Sequence, residues 1–239
     1  MSDMIEKIQD KKLFLLKMNK VINILKKENV ELEKLNAIEL FGGTGKTDSI
    51  ISHHFKSFEI WEIDEEVKEQ LNKNVGNAKI IFCDSIKRLE SSEKLSKFDL
   101  IILDNPMSMF GERNCEHFDI IKNVGKLIDD EAILVFLVNK KPFFYNKLRV
   151  KNELWKKRRK EFYGNMDITN LSTEFLMSFY RELFLNMGFD TIFSKSISRH
   201  KPHLDYFVFK IKKKIETRKI IRNQIDWISL IPLLTRKID

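Results

Sequence analysis

The sequence predicts an α/β fold built around a mostly parallel β-sheet. Short apolar runs alternate with segments of helical character, which is the pattern of successive βαβ units. A glycine-rich turn at residues 42–45 directly follows the first of these runs. Several runs also end at an acidic residue, and in open parallel sheets the ligand crevice lies at the carboxyl ends of the strands. We therefore expect a ligand site at that edge.

The chain begins with a predicted helix over residues 4–35, whose apolar side chains recur at the spacing of one helix face. That face consists of Phe14, Leu15, Met18, Val21, Ile22 and Leu25. We assign residues 1–36 to an N-terminal helical lead-in, 37–212 to the central domain and 213–239 to a C-terminal helical appendage. The appendage carries too much apolar surface to remain in water, so we expect it to pack on the core or on a second subunit.

Five apolar runs predict the parallel strands. They cover residues 37–40, 58–64, 80–85, 98–104 and 132–138. The first four end at or near Glu39, Glu62, Asp84 and Asp104. Each of these residues alone has a structural explanation, since an aspartate commonly caps the helix that follows it. Together, and in this order, they indicate one binding site.

The glycine-rich loop allows two interpretations. Residues 42–47, GGTGKT, resemble the end of the phosphate-binding pattern G-x-x-x-x-G-K-[ST], but its first glycine would fall at Leu40. The stretch also resembles the E-x-G-x-G-x-G loop of class I S-adenosylmethionine-dependent methyltransferases. In that frame Glu39, Gly43 and Gly45 match, Phe41 replaces the first glycine, and Gly42 is an additional small residue.

The position of Glu62 favours the second interpretation. An acidic residue about 20 residues past such a loop hydrogen-bonds the ribose hydroxyls of a bound nucleotide. A carboxylate suits this task because it accepts two hydrogen bonds side by side. A phosphate-binding hydrolase has no use for an acidic residue there.

The order of these features resembles the class I methyltransferase family across residues 20–212. The resemblance implies a Rossmann-like, mostly parallel seven-stranded sheet with helices on both faces. Residues 191–197 and 204–210 would form its C-terminal antiparallel hairpin. It also implies S-adenosyl-L-methionine as the cofactor. The implied binding residues are Glu39, Phe41, Gly42, Gly43, Gly45, Glu62, Ile63, Asp84, Ser85 and Asp104.

The resemblance assigns a role to several of these residues. Gly43 and Gly45 would line the methionine moiety, with Glu39 near its amino group. Glu62 would bind the ribose. Asp84 would meet the adenine amino group with Ser85 beside it, and Asp104 would stand where the methyl group is transferred.

Residues 104–107, DNPM, resemble the D-P-P-[YF] motif of enzymes that methylate exocyclic nitrogens of nucleic-acid bases. In that motif an acidic or amide side chain accepts a hydrogen bond from the target amine, and an aromatic ring stacks on the flipped base. Asp104, Asn105 and Pro106 are therefore the candidate catalytic residues. Asn105 and Met107 depart from the pattern, and Phe110 is the candidate replacement for the aromatic ring. The alternative is an ordinary loop start after a strand.

Basic and aromatic residues interleave after the fifth strand. Five consecutive basic residues, 156–160, lie between Trp155 and Phe162. Such interleaving suits phosphate contact combined with base stacking, so it predicts RNA or DNA as a partner. The candidate substrate contacts are Trp155, Lys157, Arg158 and Arg159. The other interpretation is a solvated helix face. His117, after the fourth strand, is a candidate base or, as for most such residues, a surface histidine.

Composition limits the remaining possibilities. The 239 residues carry a formal net charge of +8 and are 43% hydrophobic, which fits one α/β domain with a full core. Two cysteines make no disulfide framework and no zinc-ligand spacing occurs, so we expect a cytoplasmic protein without a metal. The apolar runs are too short to span a membrane. The sequence does not determine the oligomeric state.

These observations predict an S-adenosylmethionine-dependent methyltransferase that modifies a nitrogen of a nucleic-acid base. Three alternatives stay open at this point. One is a methyltransferase acting on a small metabolite or a protein. Another, from a different class, is a P-loop nucleotide hydrolase. The last is a binding module that holds the cofactor and has lost catalysis.

Overall fold

The strands form a single sheet whose order brings the predicted site residues to one edge. The computed structural model describes residues 18–46, 48–104, 116–140, 153–164, 170–199 and 204–214. Within them lie β1 (Asn36–Glu39), β2 (Ser57–Glu62), β3 (Lys79–Phe82), β4 (Leu100–Leu103), β5 (Glu131–Asn139), β6 (Phe189–Ser198) and β7 (Leu204–Lys213). Their spatial order is β3-β2-β1-β4-β5-β7-β6.

The first five strands pair in parallel, whereas β7 runs antiparallel to both β5 and β6. The predicted mostly parallel seven-stranded sheet with a closing antiparallel hairpin is confirmed. The carboxyl ends of β1, β2, β3 and β4 therefore meet at one edge, with the start of β7 beside them.

Helices cover both faces of the sheet. They are α1 (18–27), α2 (Asp48–Ile51), α3 (Lys68–Asn74), α4 (Ser85–Glu90), α5 (Glu116–Asn123), α6 (Glu153–Tyr163) and α7 (Thr173–Asn186). The described part of the N-terminal helix ends earlier than the predicted residue 35. Asn29 adopts a left-handed backbone with φ 59°, and the N–H of Val30 bonds back to the carbonyl of Leu25 at 3.0 Å. This arrangement is typical of a helix C-terminus.

Alternation along β5 shows how the two layers of the core form. Ala132, Leu134, Phe136 and Val138 pack in one layer with α4 to α7. Ile133, Val135 and Leu137 pack in the other with α1 to α3. A strand that is buried on both faces has a continuous apolar sequence. This explains why β5 lacks the alternation of apolar and polar residues that a half-exposed strand shows. None of the described helices is long and apolar enough to cross a membrane.

Replacing Phe136 by alanine should destabilise the domain by about 3–5 kcal/mol, because a large aromatic side chain would leave a cavity in a packed layer. Its ring contacts the rings of Tyr180, Phe184, Phe207 and Phe209. Leu185→Ala is the control, since Leu185 is 40% exposed, and it should change stability by less than about 0.5 kcal/mol. Urea denaturation measures the free energy of unfolding of both variants. If the two variants lost the same amount of stability, this account of the core would be contradicted.

Candidate functional site

The glycine-rich loop lies between the end of β1 and the start of α2. Gly43 and Gly45 adopt left-handed backbones, with φ of 51° and 68°. A side chain at Gly45 would come within 2.6 Å of Leu71 and Val75 on the α3 side, and one at Gly42 would collide with Ile60 of β2. A side chain at Gly43 would meet nothing within 4 Å. The loop is thus packed on one side and open at Gly43, where a ligand can approach the backbone.

Glu62 fixes this loop to the end of β2. Its Oε2 accepts a hydrogen bond from the Gly43 backbone N–H. Its Oε1 accepts from the backbone N–H groups of Ile63 and Asp64, both at 2.8 Å. The carboxylate therefore holds the glycine loop and the turn after β2 in one arrangement, and the exposed Ile63 side chain stands beside it.

Glu39 is a buried carboxyl group with one oxygen left unpaired. It is 1% exposed. Its Oε1 accepts from the backbone N–H of Phe41 at 3.1 Å and of Asp104 at 3.4 Å, while Oε2 receives no hydrogen bond from any residue that the structure describes. Burial, and then the nearby charges of Asp48 and Asp104, raise the pKa of Glu39 well above its usual value. An unpaired buried acceptor is costly, so it indicates a place for a donor.

Asp48 is a member of the site that sequence reasoning missed. It lies at the start of α2 and is 2% exposed, and its Oδ1 has no hydrogen-bond partner within the described part of the chain. Burial first, and then the charges of Asp104 and Glu62, raise the pKa of Asp48 to about 8. Its sequence signal was an acidic residue shortly after the glycine loop, which an ordinary helix start also explains.

Asp104, directly after β4, contacts two side chains from the C-terminal hairpin. Its Oδ1 accepts a hydrogen bond from the Tyr206 hydroxyl at 3.1 Å and lies 3.8 Å from Nη1 of Arg199. Burial, and then the charge of Asp104, raise the pKa of Tyr206 well above its usual value. Neither Tyr206 nor Arg199 was predicted, because their proximity to Asp104 depends on strand order. The hairpin thus supplies one wall of the site.

Asp84 and Ser85 both make structural contacts at the end of β3. Asp84 Oδ1 accepts from the backbone N–H groups of Ile86 at 3.0 Å and Lys87 at 3.1 Å, which caps α4. The Ser85 hydroxyl donates to the Leu40 carbonyl at 2.7 Å and so joins α4 to the end of β1. Phe41 packs against the core. Contacts of these residues with a cofactor stay predictions.

The basic residues of α6 differ in where their charges lie. The Lys157 side chain is 72% exposed, whereas Arg158 pairs with Asp119 at 2.8 Å. Arg159 is 0% exposed, and it donates to the Asn139 carbonyl at 3.3 Å. Two of these guanidinium groups therefore join α6 to the domain. Asn105, Pro106, Phe110 and the Trp155 side chain lie outside the described residues.

His117, at the start of α5, is a buried residue, so its interpretation as a surface histidine is wrong. Neither ring nitrogen has a hydrogen-bond partner among the described residues, and the ring centroid lies 4.2 Å from that of Phe118. Burial, and then the charges of Arg159 and Arg158, lower the pKa of His117 to about 3. The imidazole is consequently neutral at physiological pH.

The strand order, the closing hairpin and the acidic strand ends define the class I S-adenosylmethionine-dependent methyltransferase fold. No family model matches the chain, and no curated protein does. Among solved structures, PH1948 from Pyrococcus horikoshii, a candidate RNA methyltransferase, is similar with a TM-score of 0.50 and 13% identity. The match covers 83% of each chain. At that identity the likeness shows the fold alone.

Two other solved structures resemble the chain. The candidate methyltransferase yhhF from Escherichia coli has a TM-score of 0.49 and 15% identity, covering 82% of this chain and 86% of its own. M. jannaschii TYW2, solved in complex with AdoMet, has a TM-score of 0.45 and 13% identity. That match covers 80% of this chain and 76% of TYW2.

Replacing Asp48 by asparagine should change how stability depends on pH. Because the pKa of Asp48 is higher in the folded protein than in the unfolded chain, the parent loses stability as the pH rises from about 4 to about 8. Asparagine does not titrate, so the stability of Asp48→Asn relative to the parent should increase between pH 5 and pH 8. Urea denaturation across this range measures the difference. The exposed Asp129→Asn is the control, and a flat difference for Asp48→Asn would contradict the prediction.

Proposed function

We propose that this protein is an S-adenosylmethionine-dependent methyltransferase that acts on a nitrogen of a nucleic-acid base. The observation that carries the cofactor assignment is the unpaired Oε2 of Glu39, buried where β1 gives way to the glycine loop. The amino group of the cofactor is a cationic donor, and a charge-assisted hydrogen bond to Glu39 would satisfy this oxygen.

The surroundings of the loop favour this ligand over a nucleoside triphosphate. A phosphate-binding loop needs free backbone N–H groups and a lysine directed at the phosphates. Here the Gly43 N–H bonds to Glu62, and Lys46 is exposed. A triphosphate would give the buried carboxyl groups of Glu39 and Asp48 no cationic partner, whereas the cofactor offers them a cationic amino group and a cationic sulfur.

Methyl transfer requires alignment and an acceptor more than elaborate acid–base chemistry. Bound S-adenosylmethionine supplies a methyl group on a positively charged sulfur. The task of Asp104 is to accept a hydrogen bond from the target amine and orient its lone pair. Tyr206 and Arg199 restrict the position of the Asp104 carboxylate, because both contact its Oδ1.

The choice of a nucleic acid as the acceptor rests on the exposed cations of α6. Lys157 and Lys160 project into solvent, on a helix that packs in the same layer as α5 and α7. Cations of this kind bind phosphates through release of counterions, which gives affinity without sequence preference. Arg158 and Arg159 have internal partners, so the lysines are the better candidates for direct contact.

Titration calorimetry with S-adenosylhomocysteine, and separately with ATP and magnesium, tests the cofactor. We expect the former to bind and the latter not. Glu39→Gln should weaken binding by about ten- to a hundredfold, because it removes a charged hydrogen bond. Glu59→Gln is the matched control, since Glu59 is buried in β2 but bonded to Trp61 and Lys79. Binding of ATP alone would overturn the proposal.

Replacing Lys157 and Lys160 by alanine should weaken binding to RNA and flatten its salt dependence, by about 0.7 in the log–log slope for each lost single-strand phosphate contact. The double variant Lys26/Lys27→Ala, with exposed lysines on α1 on the other face of the sheet, is the control. Filter binding at several salt concentrations measures both. Unchanged RNA and DNA affinity in the α6 variant would contradict the nucleic-acid assignment, and labelled methyl transfer to small-molecule and protein pools would follow.

A further inference from the structure

Asp48 has no cationic partner among the residues that the structure describes. Its charged neighbours are acidic, since Asp104 and Glu62 raise its pKa and Asp48 in turn raises that of Glu39. No ion pair in the described residues includes Asp48, and its Oδ1 receives no hydrogen bond. Burying this carboxyl group without a cation costs free energy in the ligand-free protein. A cation bound beside it would remove that cost.

The neighbours of Asp48 indicate which cation this is. The charge of Asp104, the residue that would stand where the methyl group is transferred, contributes to the raised pKa of Asp48. Glu39 is the better candidate for the amino group, because it ends β1 beside the glycine loop and has its own unpaired oxygen. A metal ion is a poorer fit, since no group of three or more His, Cys, Asp or Glu side chains is arranged to hold one within the described ranges.

We propose that Asp48 faces the sulfonium of the cofactor and thereby selects S-adenosylmethionine over S-adenosylhomocysteine. This inference rests on the proposed function. The two ligands share the amino, carboxylate, ribose and adenine groups, and they differ by one methyl group and one positive charge. A carboxylate next to the sulfur therefore distinguishes them, whereas Glu39 contacts a group that both possess. The charge disappears with methyl transfer, so Asp48 then favours release of the product.

The number of protons released when a ligand binds should reveal the contact between Asp48 and the sulfonium. The charged groups that act on Asp48 are Asp104 after β4 and Glu62 from β2, and Asp48 acts in turn on Glu39 from β1. Tyr206 and Arg199 from the hairpin contact Asp104. Without a cation, Asp48 holds a proton over much of the physiological pH range, because burial and its acidic neighbours raise its pKa to about 8. A sulfonium bound beside it would lower that pKa and release the proton. The neutral thioether would not.

The test is calorimetry of the full chain with S-adenosylmethionine and S-adenosylhomocysteine at pH 7, in two buffers of different ionisation enthalpy. For the parent we expect S-adenosylmethionine to release more protons on binding than S-adenosylhomocysteine does. Asp48→Asn should weaken the affinity for S-adenosylmethionine about ten- to a hundredfold and change the affinity for S-adenosylhomocysteine less than about threefold. It should also abolish the additional proton release. Asp64→Asn removes the same charge next to the site, but its carboxylate bonds to the Glu66 N–H, so both affinities should be retained.

The outcomes separate the two proposals. If the parent binds neither ligand, the proposed function itself is wrong. If both bind and Asp48→Asn weakens them equally, the function stands and the selection by Asp48 is wrong. Sinefungin carries an amine near the position of the sulfonium methyl, so it tests the inference on the parent protein without any variant. It should release more protons than S-adenosylhomocysteine, and equal release would overturn the inference.

Discussion

The buried carboxyl group of Glu39 links the two central strand ends on which the site depends. One oxygen accepts from the backbone N–H of Phe41 in the glycine loop and from that of Asp104 after β4. It therefore sets the distance between the loop that would hold a cofactor and the residue that would receive the acceptor. Glu62 repeats the arrangement one strand away, because it ties the same loop to the turn after β2. Two glutamates thus position the loop through its backbone.

A site built this way contains an unusual density of acidic groups. The cost of burying them in the ligand-free state is visible in the raised pKa values of Glu39 and Asp48. In the ligand-bound state we expect the same groups to supply affinity, since a cation compensates several carboxylates at once. The site thereby favours a particular charge as well as a particular shape. This is why a cofactor with a cationic amino group and a cationic sulfur explains the arrangement better than a nucleotide whose phosphates carry negative charge.

The sequence predicted the five parallel strands well because each coincides with a short, mostly apolar run bounded by a turn or an acidic residue. It also predicted Glu39, Glu62 and Asp104 as neighbours, since parallel strands bring their carboxyl ends together. Strand order decides the rest. Tyr206 contacts Asp104 although a hundred residues separate them, and no local pattern carries that information. The basic run of α6 shows another limit, because composition does not reveal that Arg159 is directed inward. Asp48 was missed for the same reason, because the sequence does not show whether an isolated acidic residue is buried.

The register of the hairpin has an evolutionary consequence. Tyr206 pairs with Leu137 of β5 and with Ile197 of β6, so its side chain is directed to one face by the alternation of β7. A one-residue insertion between Leu204 and Tyr206 would turn the phenol to the other face and replace it by a neighbour. Among diverging descendants of this chain, length changes should therefore be purged from the first residues of β7.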